Sequence, residues 1–155
     1  MKSEFMRAAM RLSLEKMRRG EGGPFGAVVV RRDKIVGRGW NRVTSTNDPT
    51  AHAEITAIRD TCRRLKTFRL ADCEIYSSCE PCPMCLAAIY WARIGKVFYA
   101  GARRDAAAIG FDDELICREM ARPVSRRKIP MRQFLRGDAL KVFKEWQAKP
   151  DKIRY

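Results

Sequence analysis

Over residues 3–19 the apolar positions Phe5, Ala8, Ala9 and Leu12 recur at helical spacing, which predicts an amphipathic packing helix with Ser3 as N-cap and Gly20 as its stop. Residues 25–31 and 34–40 are short, rich in β-branched side chains and separated only by Arg32 and Asp33. They read as an antiparallel hairpin. Residues 41–49 (N-R-V-T-S-T-N-D-P) are crowded with turn formers, so a loop should deliver the chain to a helix that begins near His52 and runs to about Leu65. Residues 73–77 predict a strand, 82–93 a helix with an apolar face and 96–100 a further strand. Strand, helix, strand with short connections calls for a parallel crossover. A short helix around 113–120, a proline-punctuated stretch over 123–130 and a last helix over about 138–147 complete the chain. The pattern is α/β: a mixed sheet opened by an antiparallel hairpin, continued by parallel strands, with helices on both faces.

At 155 residues the chain is long enough for one substantial core, which predicts a single domain spanning 1–155 with one active site. The longest uninterrupted apolar run, residues 85–92, falls far short of the roughly 20 residues of a membrane-spanning helix, and no apolar signal core opens the chain. A soluble, cytoplasmic protein is expected. The six cysteines then read as thiols, metal ligands or small core residues. A net charge of +14 raises nucleic acid as a partner. The basic residues are dispersed, however, and only Arg126, Arg127 and Lys128 form a tight triplet, so a generally solvated basic surface is favoured over a dedicated nucleic-acid face.

Two clusters carry chemistry: His52-Ala53-Glu54 at a loop-to-helix junction, and Pro81-Cys82-Pro83-Met84-Cys85 at a strand-to-helix junction. Cysteines three apart at a helix start lie about 60° apart around the axis, so both sulfurs can reach one ion, and the positive end of the helix dipole favours their thiolates. His52, the only histidine, supplies a third ligand and leaves an open tetrahedral position for water, the arrangement of a catalytic zinc. His52 and Glu54 would point about 200° apart from mid-helix, but a helix start lets both face the ion. Glu54 then moves protons as general base and acid. The pairing of H-x-E with P-C-x-x-C is the signature of zinc deaminases. Three alternatives compete. An iron–sulfur run through Cys79, Cys82 and Cys85 would need a cysteine where Ile89 stands. A structural zinc could use Cys79 as fourth ligand, which leaves Glu54 unexplained. A C-x-x-C redox pair leaves both His52 and Glu54 without a task. Cys62, Cys73 and Cys117 read as core or surface thiols.

On these residues the chain resembles the cytidine deaminase-like superfamily and, within it, the bacterial guanine deaminases, over essentially its whole length. The segments 22–28 (G-G-P-F-G-A-V), Asn41, 48–54 (D-P-T-A-H-A-E), 78–85 (S-C-E-P-C-P-M-C), 91–93 (W-A-R), 110–113 (G-F-D-D) and Tyr155 carry the likeness. The resemblance implies a three-layer α/β/α sandwich with a mixed five-stranded sheet. It implies one zinc ion per chain on His52, Cys82 and Cys85, and Glu54 and Asp113 as catalytic carboxylates. Asn41, Phe25, Ala53, Trp91 and Tyr155 would bind the substrate. It further implies deamination of guanine to xanthine and ammonia by a homodimer that exchanges its C-terminal segment, about 138–155, so that Tyr155 closes the partner's site. Adenosine deaminases that edit transfer RNA share the zinc chemistry and are the alternative. Guanosine and ammeline are alternative small substrates, and a zinc module without activity is the remaining reading.

Overall fold

The computed structural model describes residues 1–154; Tyr155 lies outside them. The chain divides into two compact units, Met1–Asp113 and Glu114–Tyr155.

The first unit begins with α1 (Ser3–Arg18), followed by the hairpin β1 (Gly26–Arg31) and β2 (Lys34–Trp40). Next come a single turn α2 (Val43–Thr46), α3 (Ala53–Leu65), β3 (Cys73–Cys79), α4 (Pro83–Trp91), β4 (Lys96–Gly101) and the short α5 (Arg103–Ala107). The sheet order is β2-β1-β3-β4; β1 runs antiparallel to both β2 and β3, and β3 runs parallel to β4. The expected hairpin and parallel crossover are therefore both present. Only four strands form among the described residues, against the five that the resemblance implied. Residues 102–108 (A-R-R-D-A-A-A) carry no β-branched side chain, and directly after β4 the chain winds into α5 instead of extending.

Burial explains the layering. β1 is central and apolar on both faces, because alternate side chains of a strand point to opposite sides. Ala27 and Val29 join Ala53, Ala57, Leu70, Cys73, Ile75, Ile89 and Ala92 in a core under α3 and α4. Val28 and Val30 join Phe5, Ala9 and Tyr76 under α1. The result is helix, sheet and helix in three layers.

Two glycines bring the site-bearing helix down onto the sheet. A Cβ on Gly39 would lie 2.2 Å from the backbone nitrogen of Ala57 and 2.3 Å from the carbonyl of Ala53, and one on Gly37 would lie 2.0 Å from Oγ1 of Thr61. Bare backbone at these positions of β2 lets α3 pack in direct contact. The start of α1 departs from the sequence pattern: Lys2 is the N-cap, in extended conformation and without a side-chain cap bond, and Ser3 is already helical.

The second unit contains α6 (Glu114–Ala121), a turn of 3₁₀ helix at Val124–Arg126 and α7 (Arg136–Ala148). Arg122 pairs with Glu119, and Lys141 with Asp138. Among its described residues none is buried, and Val142, Phe143 and Trp146 on α7 are exposed. No helix among the described residues is long and apolar enough to cross a membrane.

Candidate active site

The site is assembled by two helix starts. His52 is the N-cap of α3 and Cys82 the N-cap of α4, both in extended conformation and neither making a side-chain capping bond. Pro83 at the first helical position of α4 fixes that start with a φ already suited to a helix. Nδ1 of His52 lies 3.5 Å from the sulfur of Cys82 and 3.6 Å from that of Cys85. The ligand atoms of all three residues fall within 4.8 Å of one another, which makes them a candidate metal-holding cluster. A tetrahedral zinc with bonds of about 2.0 Å to nitrogen and about 2.3 Å to sulfur sets those atoms about 3.5 Å apart. The observed spacings match that edge, so the donor set fits zinc in both chemistry and size. Cys79 stays out of the cluster. Its thiol donates to the carbonyl of Ala102 at 3.7 Å, which removes the fourth ligand that a closed structural site would require.

Charge supports the same reading. The two thiols titrate as a pair: the Cys85 thiol donates to the Cys82 sulfur, so Cys82 is pushed down to about 4 and Cys85 is pushed up. Hydrogen bonding to the Cys82 thiolate raises His52. One negative charge is thus in place on the pair before any metal arrives.

Glu54, the second residue of α3, is 6% exposed, and its Oε1 accepts a hydrogen bond from the Ser77 hydroxyl at 2.9 Å. Burial pushes its pKa up, while its own backbone N–H, Ser77 and Cys85 hold it partly down. A carboxyl lifted toward neutrality and fixed in orientation suits a group that must both take and give a proton. Ser77 carried no sequence signal beyond being a strand residue, and its role comes from the register that places it beneath α3.

Asn41 is buried at the end of β2. Its Oδ1 accepts from the backbone N–H of Gly23 at 3.2 Å and of Val43 at 3.3 Å. Both lone pairs of the carbonyl are thereby engaged, which leaves the amide N–H groups as what Asn41 can offer a further partner. Phe25 meets Phe111 edge to face, with ring centroids 4.8 Å apart, and Phe111 also approaches Gly23. Phe111 was legible only as part of the G-F-D-D segment, not as the partner of Phe25. Ala53 is fully buried, and its N–H is among the four at a helix start that have no intrahelical acceptor.

Asp113 keeps Oδ2 buried without a hydrogen-bond partner, while Oδ1 faces Arg103 at 3.9 Å. Burial pushes its pKa up and Arg103 opposes this. Trp91 ends α4, on the order of 13 Å of helix rise from Cys82. It is 66% exposed. A groove of about 630 Å³, lined by Met6, Tyr76, Phe98 and Tyr99 among others, lies on the α1 face and touches none of the site residues.

Residues 1–101 match the model of the cytidine and deoxycytidylate deaminase zinc-binding region. This chain belongs to that deaminase family. Among deaminases it is similar to guanine deaminase of Bacillus subtilis, with 49% identity over 97% of either chain. The X-ray structure of that enzyme covers 100% of this chain and is itself 99% covered, with a TM-score of 0.96 at 48% identity. A tRNA-specific adenosine deaminase of Buchnera aphidicola is 40% identical over 66% of this chain and 68% of its own. The structure of guanine deaminase from Nitrosomonas europaea shares 30% identity over 94% of this chain and 84% of that one, with a TM-score of 0.68. The deaminase fold, the zinc requirement and hydrolytic chemistry thus hold for this chain.

Proposed function

We propose that the protein deaminates guanine: water adds at C2, the C2–N bond breaks, and ammonia and xanthine leave. The observation that carries this reading is the extent of the likeness. Similarity to the Bacillus subtilis guanine deaminase runs through 97% of both chains, whereas the tRNA-specific relative matches about two thirds of this chain.

His52, Cys82 and Cys85 would hold the zinc, which when bound supplies a Lewis acid that lowers the pKa of a water in its open position toward neutrality. Glu54 accepts the proton of the attacking water and delivers it to the ring nitrogen beside C2, then carries the second proton to the departing amino group. Ser77 fixes the Glu54 carboxyl for both transfers. Asn41 donates to an acceptor on the purine edge, a choice made by the two backbone N–H groups that occupy its oxygen. Phe25 and Phe111 would offer ring faces and edges to the purine, and the N–H of Ala53 would meet a polar atom on it. Asp113 would receive the substrate's amino group on its unpartnered Oδ2.

The working form we propose is a homodimer in which the C-terminal segment, about 138–155, covers the partner's site and Tyr155 closes it. The C-terminal unit supports this by burying none of its described residues, including Phe143 and Trp146; such surfaces call for a partner. Tyr90 and Trp91, exposed at the end of α4, would then serve a second copy. Co-expressing Glu54→Gln chains with chains cut before residue 138 tests the exchange. Each homodimer should be inactive and the mixture active, since one site then combines an intact Glu54 with an intact segment from the other copy. A monomer by light scattering, or an inactive mixture, removes the proposal.

The function itself is tested by ammonia release from guanine, guanosine, adenine, cytosine, ammeline and transfer RNA. Guanine should be turned over fastest. Release from transfer RNA with none from guanine would replace this reading by the editing one, which the +14 charge would then serve.

A further inference from the structure

Between the metal-bearing loop and Asp113 stands a cation that the sequence did not single out. Arg103 opens α5, directly after β4. Its backbone N–H donates to Oε2 of Glu80 at 3.1 Å, and its Nε lies 3.5 Å from Oε1 of the same carboxylate. Its Nη1 reaches Oδ1 of Asp113 at 3.9 Å. Glu80 is itself tied down, with its N–H donating to the carbonyl of Gly101 at 2.8 Å, and it precedes Cys82 by two residues. One guanidinium therefore spans two carboxylates, one on the segment that leads into Cys82 and one on the segment that carries Asp113.

We propose that Arg103 is a positioning residue: it clamps Oδ1 of Asp113 to the segment that leads into Cys82 through Glu80 and so leaves the buried Oδ2 aimed for the amino group of the substrate. The proposal rests on the reading of Asp113 given above. Two independent observations support the geometry. Oδ2 is buried yet bonded to nothing, so the carboxylate is held by one oxygen only. The loop is pinned a second time two residues earlier, where Phe111 meets Phe25 and its N–H donates to the carbonyl of Ala106 at 3.0 Å. Burial, Cys82 and Asp112 disfavour the ionised form of Asp113, while Arg103 and the residue's own backbone N–H favour it.

The test is a double-mutant cycle on zinc-loaded enzyme with guanine as substrate. Arg103→Met should lower kcat/KM about fivefold to tenfold, with zinc content and Tm as in the wild type, and Arg103→Lys should recover most of the loss. In an Asp113→Asn background the same Arg103→Met change should cost less than about twofold, because the carboxylate it serves is gone. Arg103→Gln, which keeps a polar head, runs in parallel so that poor folding of one variant does not remove the comparison. An equal loss in both backgrounds overturns the proposal, as does an Arg103→Met enzyme within twofold of wild type while Asp113→Asn is strongly impaired. Full activity of Asp113→Asn would instead reject the role given to Asp113 itself, a result distinguishable from the other two.

Discussion

Replacing Glu54 by Gln separates proton chemistry from packing, since the two side chains have the same shape. The Ser77 hydroxyl, 2.9 Å from Glu54 Oε1, can donate equally well to a glutamine carbonyl. A positioned acid or base contributes typically about 10²- to 10⁴-fold to a rate. In the proposed mechanism Glu54 acts twice in one turnover, as base toward the water and as acid toward the substrate, which places the expected loss in kcat near the upper end, about 10⁴-fold. Stability should move in the opposite direction. The folded-state pKa of Glu54 is raised above its ordinary value of 4.5, chiefly by burial. Between those two values the folded chain binds more protons than the unfolded one, so this group's contribution to stability declines as pH rises from about 4.5 through the folded pKa. Glutamine removes that slope. Ammonia release, zinc content by atomic absorption, and Tm followed from pH 5 to 8 together make the assay. The zinc content should be unchanged and the Tm at pH 7 equal to or above that of the wild type. A kcat within tenfold of wild type refutes the proton role, whereas loss of zinc together with a fall in Tm of several degrees makes Glu54 a ligand or a structural group.

Zinc uptake by the metal-free chain should release protons. Cys82 is already a thiolate at neutral pH, so Cys85 gives about one proton and His52 a fraction that shrinks as pH rises; calorimetry in buffers of different ionisation enthalpy counts them, and no release would remove Cys85 as a thiolate ligand. Gly39→Ala should destabilise the fold by more than the roughly 1–3 kcal/mol of ordinary overpacking, because the new Cβ meets helix backbone that cannot rotate away. The displaced α3 carries His52 and Glu54 with it, so zinc affinity should fall in step with the urea midpoint; an unchanged midpoint would contradict the direct contact of β2 with α3.

What could be read from the sequence is what local pattern controls. The hairpin was legible from two short β-branched runs, and Arg32 and Asp33 between them adopt left-handed conformations, with φ of 47° and 60°, that close a two-residue turn. The metal ligands were legible because their spacing is itself the chemical requirement. The cap of α1 was not, since Ser3 and Lys2 differ by a residue in a boundary that propensity does not resolve. Ser77 and Arg103 were invisible for a different reason. Their partners lie 23 residues away in Glu54 and Glu80, and only the register of β3 and the turn after β4 bring them together. Trp91 was named through resemblance alone, and it stands exposed at the far end of α4.

The two helix starts explain why so few residues suffice for the site. An N-cap position normally holds a Ser, Thr, Asp or Asn whose side chain bonds back to the helix, worth about 1 kcal/mol. Here those positions hold His52 and Cys82, whose side chains make no such bond and point to each other instead. The fold gives up two caps, and in return the extended backbone at each N-cap swings a ligand clear of its helix. That geometry turns His52 and Glu54, only two residues apart, toward the same cysteines: His52 meets Cys82 and Cys85, and Glu54 interacts with Cys85. It also sets the Cys82 thiolate at the positive end of α4, where the helix field favours negative charge. A substitution that restored ordinary capping, such as Cys82→Ser, would therefore keep or improve the helix while abolishing the metal centre. A Tm preserved in the metal-free state with zinc binding lost would distinguish this arrangement from one in which Cys82 mainly holds α4 in place.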